Sequence, residues 1–348
     1  MKIVLDAMGG DHAPGVVIDG AVLAAREYGI EIALVGRKEA IQAELARHDI
    51  TGLKLPVIHA AQVIGMEEHT GSVKRKTESS MVVGMRLVRD GQADAFVSAG
   101  NSGAVMATAI LRGIGVGRIR GIRRPALATY YPAAMKPVLL LDVGAQTDCK
   151  PEYLLQFAQM GAIYAEKVMG IPNPRVGIVS NGEEADKGSM LVRDTYPMLE
   201  NSGLNFVGNI EGKDVTKGKA SVIVTDGFTG NVIVKLTEGL VSFLARYFKN
   251  ELTGGKLNKL ALALMVPGLL LTLPGALLLL PTLKRIARRM DYAEYGGAPL
   301  LGVDGVVIIA HGRSNAKAIK NAIRQAKQAV EGNMIAAIKD GLALGKWR

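Results

Sequence analysis

Seven short apolar runs, "KIVLDA", "EIALVG", "ADAFVSA", "PVLLLDVG", "RVGIVS", "SVIVTDG" and "GVVIIAHG", recur along the chain with helical patterns between them. Most are continuous rather than alternating, as strands buried on both faces require. The pattern predicts an α/β fold with a doubly wound, mainly parallel sheet. Helices are expected over Val16 to Tyr28, Ser79 to Asp90, Pro151 to Met169 and Asn315 to Val330. No internal repeat or low-complexity linker interrupts the alternation, so residues 1–348 read as one catalytic domain with a helical insertion over 250–290.

In open α/β sheets the ligand site lies outside the carboxyl ends of the strands. Six runs here end in glycine and small polar residues: "DAMGGDHAP", "SAGNSGA", "DVGAQTDCKP", "SNGEEADKGS", "TDGFTGN" and "AHGRSN". They are expected to gather on one rim as a single polar crevice. In "SAGNSGA", Gly100 and Gly103 let backbone N–H groups approach an anion at a helix N-terminus, with Asn101 and Ser102 beside them. A phosphate fits there, although helix capping by Asn101 or Ser102 explains the same residues. Lys187 is either solvated or a cation facing the crevice, and Asn231 either an amide aimed at a developing oxyanion or a cap. Asp6, Asp226 and Gly227 are candidate substrate contacts; Asp6 with Asp11 could equally fix a glycine turn.

Other chemistries find little support. The chain has a formal net charge of +10, but its basic residues are spread out and it carries one tryptophan, so nucleic-acid binding is not expected. Acidic partners fit better. The lone Cys149 excludes an intrachain disulfide and suits a reducing compartment, and "MKIVLDAMGGDHAP" does not read as a secretory signal, so a cytoplasmic protein is expected. No G-x-S-x-G elbow is present, the five histidines show no ligand spacing, and Cys149 has no adjacent histidine. No metal or cofactor is expected. Chemistry in the crevice would then hold two substrates together and stabilise charge.

The strings "DAMGGDHAP", "SAGNSGA", "RPALATYYP", "LDVGAQTDCKPEYLLQFAQMGAIYA", "TDGFTGNVIVKLTEGL" and "YAEYGGAPLLGVDGVVIIAHGRSNAKAIKNAI" resemble those of the bacterial phosphate acyltransferases of phospholipid synthesis. The resemblance runs from Lys2 to about Val330. It implies a fold like the phosphotransacetylases and isopropylmalate dehydrogenases, and a homodimer. The implied reaction converts acyl-[acyl-carrier-protein] and inorganic phosphate into acyl phosphate and free carrier, and the product feeds a membrane glycerol-3-phosphate acyltransferase. Lys187 and Asn231 match the family's functional positions. They are expected to stabilise charge and to orient the reactants. Lys74, Arg75 and Lys76, in "HTGSVKRKTESS", form a candidate contact for the acidic carrier. Two loops depart from the family: Gln146 and Thr147 stand where asparagine and valine are usual, and Ser180 and Asn181 where asparagine and isoleucine are.

One stretch, Leu260 to Leu283, has no charge over twenty-four residues. Helix of that length would reach about 36 Å, enough for a bilayer. Yet Pro267, Pro274 and Pro281 break it into pieces of about two turns, too short to cross. The strings before and after it belong to one sheet, so the run must return to the side it left. We expect two proline-bent helices that dip into one leaflet through Leu264, Leu270, Leu273 and Leu278, with Lys284, Arg285 and Arg288 on anionic headgroups. A core or dimer-interface hairpin is the competing reading. The first makes the protein peripheral to the inner face of the cell membrane.

Overall fold

The computed structural model describes residues 1–133, 137–255, 257–258, 264, 268, 275, 277–282 and 292–343. They fall into two compact units, one formed by Met1–Gly230 with Tyr292–Arg348 and one by Asn231–Asp291.

The first unit is built on an eleven-stranded sheet in the order β3-β2-β1-β4-β11-β10-β5-β6-β9-β7-β8. The strands are β1 (Lys2–Asp6), β2 (Glu31–Gly36), β3 (Val57–His59), β4 (Ala95–Ser98), β5 (Ala126–Tyr131), β6 (Val138–Leu141), β7 (Val176–Ser180), β8 (Phe206–Glu211), β9 (Val222–Val224), β10 (Gly297–Leu301) and β11 (Val306–Ala310). Seven of the ten neighbouring pairs are parallel, so the sheet is mainly parallel as expected.

Helices cover both faces. On one lie α1 (Gly15–Tyr28) and α6 (Pro151–Lys167); on the other, α4 (Ser80–Arg89) and α5 (Ser102–Ile110). The pleat divides β1 between the two layers: Ile3 and Leu5 join the core that holds Ile18 and Phe157, while Val4 joins the core that holds Met85 and Val105. That division explains the continuous apolar runs. The remaining helices are α2 (Lys38–Leu45), α3 (Ser72–Arg75), α7 (Met190–Glu200), α8 (Gly227–Thr253), α9 (Tyr292–Tyr295), α10 (Ala316–Glu331) and α11 (Met334–Ala343). Ser79 and Asn315 cap α4 and α10, accepting from the amides of Val82 at 3.4 Å and Ala318 at 2.9 Å.

The three antiparallel pairs correct one expectation. β10 runs against both β11 and β5, and β5 runs against β6. In consequence β6, β9, β7 and β8 point opposite to β1, β2, β4 and β11. The six glycine-rich loops therefore do not share a rim. "DAMGGDHAP", "SAGNSGA" and "AHGRSN" leave one edge of the sheet, while "DVGAQTDCKP", "SNGEEADKGS" and "TDGFTGN" leave the other.

In the second unit α8 continues from Asn231, and its apolar side chains lie open. Val232, Leu236, Leu240, Phe243 and Tyr247 are each at least 48% exposed, spaced by four, four, three and four residues along one stripe. Among the described residues, this helix alone is long and apolar enough to cross a membrane by length and composition. Leu264 and Leu278 are exposed, whereas Leu270, Leu273, Lys284, Arg285 and Arg288 lie outside the described residues.

Candidate active site

On the first edge, β1 and β4 end side by side and their loops are locked together. Asp6, buried at the end of β1, accepts from Ser98 Oγ at 2.8 Å, and Ser98 Oγ in turn accepts from the Gly100 amide at 3.0 Å. A Cβ on Gly9 would sit 2.7 Å from both Asp6 Oδ2 and the Gly100 nitrogen, so only glycine passes there. The third loop closes over them: the Asp11 amide donates to the Gly312 carbonyl at 2.8 Å. Burial raises the Asp6 carboxyl pKa, opposed by hydrogen bonds from Ser80 and Ser98. Its partners are all internal. Asp6 thus holds the loops rather than touching a substrate.

Asn101 is likewise committed. Its Oδ1 caps α5 through the Ala104 amide at 3.0 Å, and its Nδ2 donates to the carbonyls of Met66 at 2.7 Å and Glu68 at 3.1 Å. The Gly100 amide is also taken. What remains for an anion are the amides of Ser102 and Gly103 in the first turn of α5, which meet no acceptor among the described residues.

Lys76 behaves differently from its neighbours. Its Nζ donates to the Val63 carbonyl at 2.7 Å and to Glu68 Oε1 at 2.5 Å, clamping the loop that Asn101 also ties. The Gly65 amide and Lys76 hold the Glu68 carboxyl down at about 2. Lys74 and Arg75 are exposed. Only these two keep a surface role.

On the second edge, β6 runs into Asp142, buried beneath the loop 143–149. Its Oδ1 accepts from the amides of Leu127 at 2.8 Å and Ala145 at 3.1 Å, and its Oδ2 from Gln146 at 2.6 Å. Burial pushes the carboxyl up to about 6 against the pull of these amides. A folded pKa above the usual carboxylate value means the native state holds the proton more tightly. The stabilisation is therefore present below about pH 4 and lost as pH rises through 6, by at most about 3 kcal/mol. Urea midpoints should fall more steeply between pH 4.5 and 7 for the parent than for Asp142→Asn; parallel profiles would exclude this titration.

Cys149 donates to the Gln146 carbonyl at 3.4 Å, and burial, with Asp142 and Asp226 nearby, pushes its thiol up to about 12. It is inert as a nucleophile. Asp226 caps α8, accepting from the Thr229 amide at 2.9 Å and the Thr229 hydroxyl at 2.7 Å. Gly227 is buried against Asp142 and Gln146, where a Cβ would stand 2.7 Å from Asp142 Oδ2. Both therefore shape the turn that launches α8. Asn231 follows in that helix as the first residue of the second unit.

Lys187 sits in the loop after β7. Its stem lies across Gly182, whose added Cβ would be 2.8 Å from Lys187 Cγ, and Gly188 turns the chain with φ +104°. Of the acids around it, the Glu183 carboxylate is engaged elsewhere, and the Glu184 main chain is tied back. Lys219 binds Glu183 at 2.7 Å, and Asn209 Nδ2 donates to the Glu184 carbonyl at 2.6 Å. Lys187 is exposed and has no ion-pair partner among the described residues. Glu183, Glu211 and Asp214 cluster closely enough to suggest a metal, but Lys219, Lys213 and Lys217 already meet their carboxylates. They form an ion-pair network.

A family model described as "Fatty acid synthesis protein" matches residues 1–337. The chain is 49% identical to a phosphate acyltransferase from Herpetosiphon aurantiacus, covering 98% of each. A phosphate acyltransferase from Heliobacterium modesticaldum is 51% identical over 98% of this chain and 97% of its own. The chain belongs to the phosphate acyltransferase family. It is an acyl-transferring enzyme. Its fold is similar to that of a phosphotransacetylase from Streptococcus pyogenes, with TM-score 0.61 at 15% identity, covering 99% of this chain and 94% of that one. A branched-chain phosphotransacylase from Enterococcus faecalis gives TM-score 0.54 at 13% identity, covering 95% and 99%.

Proposed function

We propose that this acyltransferase converts a long-chain acyl-[acyl-carrier-protein] and inorganic phosphate, reversibly, into acyl phosphate and free carrier for phospholipid synthesis. The observation that carries the reading is the likeness, at about half identity and almost full length, to proteins named phosphate acyltransferase. A phosphate oxygen attacks the thioester carbonyl carbon, the C–S bond breaks, and the carrier thiolate leaves and takes a proton. Phosphate is already anionic, so no protein nucleophile is required, in keeping with a Cys149 thiol pushed up to about 12. The Ser102 and Gly103 amides hold phosphate, Lys187 stabilises charge on phosphate or carbonyl, and Asn231 orients the reactants.

Because the two loop sets leave opposite edges of one sheet, we assign the complete site to a homodimer in which one protomer's Ser102 edge faces the partner's Lys187 edge. The open apolar stripe of α8 supplies a surface that a second copy would cover. Phosphate-dependent release of free thiol from acyl-carrier protein, with acyl-CoA as control, tests the activity; no release at saturating phosphate overturns it.

Carrier docking falls to Lys74 and Arg75. The double reversal Lys74→Glu, Arg75→Glu should raise KM for the carrier substrate about tenfold with little change in kcat. An unchanged KM removes the assignment. We further propose a cytoplasmic enzyme bound peripherally to the membrane, handing acyl phosphate to a membrane glycerol-3-phosphate acyltransferase through the apolar segment 261–282. Liposome flotation that survives deletion of that segment would reject this contact, and loss of the dimer on deletion would favour an interface role instead.

A further inference from the structure

A cavity of about 370 Å³ opens in the first unit between the end of α6, the tip of β5 and the outer flank of α10. Met169 and Ile171 form an apolar wall. Opposite them the rings of Tyr130 and Tyr295 stack with centroids 5.7 Å apart at 12°. Two neighbouring polar residues of α10, Arg324 and Gln325, also line it.

The guanidinium of Arg324 has unused capacity. Arg324 Nη2 donates to the Glu294 carbonyl at 2.6 Å, but no carboxylate pairs with the guanidinium among the described residues. Gln325 is 3% exposed, and its Nε2 donates to the Tyr295 carbonyl. The volume falls within the range of small-molecule sites.

We propose that this cavity binds a short amphipathic carboxylate. The carboxylate pairs with Arg324, and the alkyl body lies between Met169, Ile171 and the tyrosine pair. None of these residues belongs to the acyl-transfer site described above. The site therefore stands or falls independently of that reaction.

Calorimetric titration of the full-length protein with octanoate should show one saturable site, and the neutral 1-octanol should bind more than about tenfold more weakly. Arg324→Gln should cost about tenfold or more in affinity. Met169→Trp, which fills the cavity from its half-buried wall, should abolish the heat while thiol release continues. If Arg324→Gln fails to fold, Met169→Trp and the ligand series decide by themselves. No saturable heat, an affinity for octanol equal to that for octanoate, or undiminished binding to Met169→Trp would overturn the proposal.

Discussion

Replacing Lys187 by alanine should lower kcat/KM for acyl transfer about a hundredfold to a thousandfold, the range seen when a preorganised charge-stabilising group is removed. The fold should be untouched, because the side chain is exposed and has no ion-pair partner among the described residues. Unchanged turnover by a folded Lys187→Ala protein would remove the residue from the site. The same variant tests the two-protomer reading. Ser102 occupies the first position of α5, where proline is tolerated and deletes the amide donor together with the side-chain hydroxyl, and Asn101 before it already has the extended ψ of 114° that a following proline requires. Ser102→Pro and Lys187→Ala should each be inactive alone. Co-expressed, half of randomly paired dimers are mixed and each carries one intact site, so about a quarter of parental activity should return. No recovery in purified mixed dimers would mean that Ser102 and Lys187 act within one protomer and would overturn the shared site.

Gly230→Ala should destabilise the protein by about 3 kcal/mol or more and prevent α8 from starting correctly. An added Cβ would stand 1.9 Å from the Asp142 carbonyl oxygen, a backbone atom pinned by the loop that caps the Asp142 carboxylate. Neither side can give. Nine residues on in the same helix, Gly239 has nothing among the described residues within 4 Å of its would-be Cβ, so Gly239→Ala should stabilise by about 0.5–1 kcal/mol through helix propensity and a stiffer unfolded chain. Comparison of the two denaturation midpoints isolates the contact from the helix. Equal effects would mean that the loop after β6 moves freely, contrary to the hydrogen bonds around Asp142.

Much of the site was visible as composition. "SAGNSGA" announced a strand, a tight turn and a helix start, and the structure has β4, Gly100 and α5 there. The competing capping role won for Asn101 because one side chain can satisfy an exposed helix end and two loop carbonyls together. Asp142 carries no sequence signal. Its strand reads like any other buried strand, and nothing in "LLLDVGA" announces that a carboxylate will gather amides from Leu127, Ala145 and Gln146. Lys76 is indistinguishable in sequence from Lys74 and Arg75, because a charge run looks uniform until one member meets a fixed acid.

The apolar runs by themselves determined which segments become buried strands and that helices must cover both faces, since both follow from residue periodicity within a few turns of chain. They did not determine which way each strand would point. β5 and β10, short and ordinary in sequence, reverse the sheet because of the partners they find more than a hundred residues away, and hydrogen-bonded pairing of that kind leaves no local trace. Tertiary structure alone therefore decided that Gly100 and Lys187 leave opposite edges.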